Sequence, residues 1–143
     1  MQPSVVDTVA KYFFFSCLDE RLTYAAALKA LNELRAKNLI ENEDRVEWIR
    51  CLTRWRGRLG RLSPRSWSSK KNSSAFELPA NFDMGAWMTF LTSCENAEVE
   101  AVLLSQILSF SDQEIALGLN VTVGTVRYRI GRGLRRLGGF VEY

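Results

Sequence analysis

Two helix-start signals stand close together near the C-terminal end of the sequence, and only one short helix fits between them. Ser111-Asp112-Gln113-Glu114 has the pattern of a capping box, in which the serine hydroxyl accepts from the glutamate amide and the glutamate carboxylate reaches back to the serine amide. Phe110 before the cap and Ile115 inside the helix have the spacing of a hydrophobic staple. Gly118 and Asn120 tolerate a left-handed backbone, and Thr122 then offers a second cap. The spacing predicts a helix, a tight turn and a second helix over residues 111–137.

The second helix has two unlike faces. At about 100° per residue, Val123, Val126, Ile130, Leu134 and Leu137 share one arc, while Thr125, Tyr128, Arg129, Arg132, Arg135 and Arg136 point the other way. A basic amphipathic helix alone suits a solvated face, a membrane surface or a polyanion equally well. The capped helix and tight turn before it favour the polyanion, because together they support a recognition helix with its N-terminal residues aimed into a major groove. Double-stranded DNA is the expected partner, entered by the helix that begins near Thr122.

The other segments also carry apolar residues at spacings of three and four, over 5–18, 23–37, 44–59, 83–92 and 97–108, and none alternates as a strand would. Thr23 is the expected cap of a helix whose stripe runs through Ala27, Leu28, Leu31, Leu34 and Arg35. Residues 63–74, rich in Ser and charge and including Trp67, have a linker composition. The predicted fold is all-α, as two small helical domains joined by a basic Ser-rich linker. The N-terminal helical domain spans 1–62, the linker 63–80 and the helix-turn-helix domain 81–143.

Charge is segregated along the chain, although the net value is only +3. Residues 50–71 hold Arg50, Arg54, Arg56, Arg58, Arg61, Arg65, Lys70 and Lys71 without an acid, and 75–126 hold acids without a Lys or Arg. Arg127, Arg129, Arg132, Arg135 and Arg136 follow. This order predicts two basic surfaces separated by an acidic one, the footprint of a polyanion ligand. Arg54, Arg56, Arg58, Arg61 and Arg65 are candidates for phosphate or linker contacts. Trp48, Trp55 and Trp67 interleave with them, as stacking on unpaired bases would require. Trp48 and Trp55, seven apart beside Leu52, equally fit a buried helix face, and that reading is preferred for those two.

The sequence has no histidine, which removes the commonest proton shuttle and metal ligand. Cys17, Cys51 and Cys94 are odd in number and far apart, unlike a disulfide framework or a zinc site, and are expected as reduced core residues. No catalytic residue, metal or cofactor is expected, and the chain is not read as an enzyme. No apolar run approaches the roughly 20 residues that span a bilayer, and the first residues lack a secretory signal's basic start, so a cytoplasmic protein without a membrane partner is expected.

Glu114-Ile115-Ala116, the run from Val121 to Ile130, and Arg132-Gly133-Leu134-Arg135-Arg136-Leu137 closely resemble region 4 of bacterial sigma-70-family factors, especially the extracytoplasmic-function group. LuxR-type regulators share the Ile-Ala helix and the Thr-Val start, but Gly124 and the Arg-x-x-x-Leu ending suit the sigma group better. The resemblance implies a transcription initiation factor that recognises a −35-like promoter element. It implies DNA contacts by Thr122, Val123, Gly124, Thr125, Arg127, Tyr128, Arg129, Arg132, Arg135 and Arg136. Core RNA polymerase and an anti-sigma-like protein are the implied protein partners. The first half resembles region 2 faintly, through its helices and the segment from Val46 to Arg58. Where that family carries acidic groups for the polymerase clamp, the second helix offers Tyr24, Ala25, Ala26, Ala27 and Leu28. A sigma-derived regulator or interaction module that does not open promoters is therefore the alternative.

Overall fold

The computed structural model describes residues 4–59 and 82–141. Among them are seven α-helices and no strand: α1 (Val5–Cys17), α2 (Glu20–Ala36), α3 (Arg45–Leu59), α4 (Met84–Ser93), α5 (Asn96–Val102), α6 (Asp112–Leu119) and α7 (Val123–Phe140). The chain leaves α5 through a π-helical turn, Leu103–Ile107, closed by the Leu108 amide on the Leu103 carbonyl. The all-α fold expected from the apolar spacing is therefore observed. The basic linker, with Arg61, Arg65 and Trp67, lies outside the described residues.

Local chemistry explains where the helices start. Ser4, Asp19 and Asp83 cap α1, α2 and α4, each accepting from an amide three residues on. The α2 cap corrects the expectation for Thr23. Its hydroxyl is buried within the second turn, 3.5 Å from Cys17 Sγ, while Asp19 accepts from the Leu22 amide at 3.1 Å. The buried stripe of α2 is correspondingly Ala26, Ala27, Ala30 and Leu34, and Leu28 is half exposed beside Tyr24.

The helices on either side of residues 60–81 build one apolar cluster. Tyr12, Phe13, Phe14 and Phe15 are all buried, so the C-terminal half of α1 is enclosed on most of its circumference, while Val6 and Asp7 leave its first turn exposed. Phe15 meets Trp87 of α4 edge-on at 6.1 Å and accepts the indole N–H on its carbonyl at 2.8 Å. Helix α3 lies along α6, where Ile49 rests on Gly118. Cys17, Cys51 and Cys94 are free and buried, as expected. Burial, and then Glu33 beside it, pushes the Cys51 thiol up to about 12. Trp48 is buried with its indole N–H on the Leu39 carbonyl at 2.9 Å, and Trp55 packs against the same core.

Gly118 is helical, not the left-handed turn residue. That conformation belongs to Asn120, at φ 59° and ψ 48°. The glycine is required for another reason, since a Cβ there would stand 2.5 Å from Ile49 Cγ2 and 2.7 Å from Ile49 Cβ. Gly118→Ala is therefore expected to force α3 and α6 apart and to destabilise the fold by about 1–3 kcal/mol, as overpacking does. A denaturant midpoint equal to wild type would show that the contact yields without cost.

Candidate nucleic-acid interface

The helix-turn-helix starts at a completed capping box. The Glu114 amide donates to Ser111 Oγ at 3.1 Å, and the Ser111 amide donates to Glu114 Oε1 at 2.9 Å. Phe110 and Ile115, the staple pair, are both buried. Helix α6 has only eight residues before Asn120 turns the chain. Thr122 then caps α7, accepting from the Thr125 amide at 3.1 Å, with the two threonine hydroxyls 2.9 Å apart.

A residue from the first half completes this arrangement. Arg45 Nε donates to Glu114 Oε2 at 2.7 Å, and its guanidinium lies 4.5 Å above the Phe110 ring. Burial alone would raise the Glu114 carboxyl, but Arg45 and the Ser111 amide outweigh it and hold the group below the usual glutamate range. Nothing in the sequence pattern joins Arg45 to Glu114.

Helix α7 faces the core with Val126, Ile130 and Gly133, with Leu137 partly buried beside them. Leu134, expected on that arc, is exposed. Gly133 replaces it because a Cβ there would stand 2.6 Å from Val102 Cγ2 and 3.4 Å from Phe90 Cζ, so the helix backbone itself approaches α5 and α4. At the opposite edge Thr122, Gly124, Arg127, Tyr128 and Arg135 are exposed, and Val123, Thr125 and Arg129 are half-buried. The capped N-terminus of α7 and these residues present hydroxyls and cations to one side, a form that suits a phosphate backbone and groove.

The remaining arginines are not equally available. Arg127 pairs with Asp112 of α6 at 3.1 Å near the surface. Arg132 and Arg136 turn toward Glu98 of α5, at 2.8 and 3.6 Å. In the first half, Arg54 pairs with Glu33 at 2.6 Å, Arg56 lies 3.5 Å from Glu100, and Arg58 lies over the Trp55 ring at 4.7 Å. Tyr12 donates to the same Glu100 at 3.4 Å. Burial raises both the Glu100 carboxyl and the Tyr12 phenol, while Arg56 pulls each of them back.

Ser111→Ala removes one half of the capping box and is expected to cost about 1 kcal/mol of stability, read as a lower denaturant midpoint. Because the folded Glu114 carboxyl is depressed, its contribution is present above the ordinary glutamate range and is lost as pH falls through the folded value. The difference between wild type and Glu114→Gln is therefore expected to shrink on acidification. A difference independent of pH would exclude a charged cap.

Residues 98–137 match the family model described as Sigma-70, region 4. The match runs from α5 through the π turn and both helices of the motif, up to Leu137 in the last turns of α7. Comparison with curated proteins gave no match. None of the described helices is long and apolar enough to cross a membrane. The stretch from Glu98 to Leu137, with its capped α6, left-handed Asn120 and cationic α7, is thus similar to region 4 of the sigma-70 family, a helix-turn-helix.

Proposed function

We propose that the protein is a sigma-type transcription factor that binds double-stranded DNA with the N-terminal half of α7 in the major groove, at a −35-like promoter element. The carrying observation is the exposed edge of α7, where Thr122, Gly124, Arg127 and Tyr128 stand clear of the core on a helix held by α4, α5 and α6. In this reading Thr122, Val123, Gly124 and Thr125 approach base edges, while Arg127, Tyr128, Arg129 and Arg135 approach phosphate or sugar. Core RNA polymerase is the proposed protein partner, as it is for sigma factors generally, and an anti-sigma-like protein is a further one. The cytoplasm is the compartment this activity requires.

A second reading, a regulator that binds promoter duplex without opening it, is favoured by the first half. Trp48 and Trp55 are turned into the core and not toward unpaired bases. Arg54 and Arg56 are engaged by Glu33 and Glu100. The surface that strand separation needs would therefore have to come from elsewhere in the chain.

The full chain is expected to bind duplex DNA with an affinity that falls as salt rises. Arg127→Ala should lower the slope of log K against log salt by about 0.9, the loss of one phosphate contact, and weaken all sequences alike. An unchanged slope would remove Arg127 from the interface. Mixed with core RNA polymerase on promoter DNA, an initiation factor co-purifies with the enzyme and makes thymines reactive to permanganate. A non-opening regulator binds the duplex and does neither.

A further inference from the structure

Glu98 is the one charged side chain in the core of the described residues, 3% exposed on α5 beneath α7. Arg132 Nε stands 2.8 Å from its Oε2 and Arg136 Nη1 stands 3.6 Å from its Oε1. The Arg132 contact has the length of a hydrogen bond without its alignment, so the hold is charge against charge without the fork geometry of a bidentate pair. A carboxylate buried to this degree leans on its counter-charges, and moving them elsewhere leaves it uncompensated. Arg132 is committed further, donating from Nη1 to Tyr128 Oη at 3.0 Å. Between the two arginines Gly133 brings the α7 backbone onto α5, where an added Cβ would lie 3.3 Å from the Glu98 carbonyl oxygen.

We infer that Glu98 is a positioning residue for DNA recognition, which withholds Arg132 and Arg136 from the phosphate backbone and fixes the roll of α7. This rests on the duplex-binding reading above and removes two arginines from the contacts that the sigma-factor resemblance implies. The cations left to meet phosphate are Arg127, Arg135 and the half-buried Arg129, which also feels the charge of Glu100. Arg127 differs from Arg132 in the nature of its partner, since Asp112 is one-third exposed and Glu98 is not. An exposed carboxylate gives up its arginine to a phosphate at little cost, whereas the buried Glu98 does not, even though Arg132 and Arg136 are themselves 38% exposed. Rolling α7 so that Arg132 and Arg136 reach outward would also drive the Gly133 contact apart. The anchor therefore selects which residues at the N-terminal end of α7 look into the groove.

The test is a salt titration of the full chain against a short random-sequence duplex, since the slope counts phosphate contacts and does not change with the fraction of folded protein. Arg132→Ala and Arg136→Ala are each expected to leave the wild-type slope unchanged. Glu98→Gln should release both arginines and steepen the slope by up to about 1.8, at roughly 0.9 for each new contact. Adding Arg132→Ala to Glu98→Gln should then return about half of that increase. A fall of about 0.9 with Arg132→Ala alone, or an unaltered slope with Glu98→Gln, overturns the inference. If Glu98→Gln does not fold, the two arginine variants decide the matter by themselves. A wild-type chain that binds no duplex overturns the proposed function and this inference together, whereas wild-type binding with a slope lost on Arg132→Ala overturns the inference alone.

Discussion

Helix α6 has eight residues, too few to hold together in water without help, and the position of the recognition helix depends on it. The help comes from α3. Arg45 is bonded to the carboxylate that closes the α6 capping box and covers the staple residue Phe110. One turn on, Ile49 sits against the α6 backbone at Gly118, and Arg50 donates to the Leu117 carbonyl at 3.2 Å. On its other side, α6 carries Asp112, which meets Arg127 of α7. The short helix is thus tied at its start to a helix of the first half and to the recognition helix. Loosening α3 would disturb the angle between α6 and α7 before it disturbed either helix.

The same dependence changes what α1 to α3 mean. The aromatic run of α1 packs on Trp87 and the π turn, and α3 packs along α6. The family match is confined to residues 98–137, and the helices before it act as the outer wall of that motif's core. Phe15 and Trp87 illustrate the strength of the union. An edge-on aromatic pair and a buried indole hydrogen bond each contribute about 1 kcal/mol, and both cross from the first half to the second.

The elements most legible from the sequence were those whose signals are local. The Ser111 to Glu114 box, the Thr122 cap and the Val126 and Ile130 face all depend on residues within two turns of one another, so spacing alone determines them. The misreadings share one physical origin, which is that periodicity shows where apolar residues recur but not what covers them. Leu134 and Gly133 both lie near the core arc of α7, and only the approach of Val102 decides in favour of the glycine. Thr23 resembles a cap, yet Asp19 stands one turn earlier, where Leu18 adopts a left-handed backbone that ends α1. Gly118 looked like a turn residue because its role lies in a contact with Ile49, far away in sequence.

Charge shows the limit most clearly. Read along the chain, the basic and acidic blocks suggested separate surfaces. In space they interleave: Glu100 takes Arg56, Glu114 takes Arg45, Asp112 takes Arg127, and Glu98 takes Arg132 and Arg136. The acids of the middle segment neutralise cations that a linear reading would assign to DNA. This matters for recognition because phosphate attraction is indifferent to sequence, and every arginine that reaches the backbone strengthens binding to all duplexes equally. A motif that ties down part of its positive charge gives up general affinity. A larger share of its binding free energy then rests on the few groups near Thr122 that can tell one base pair from another.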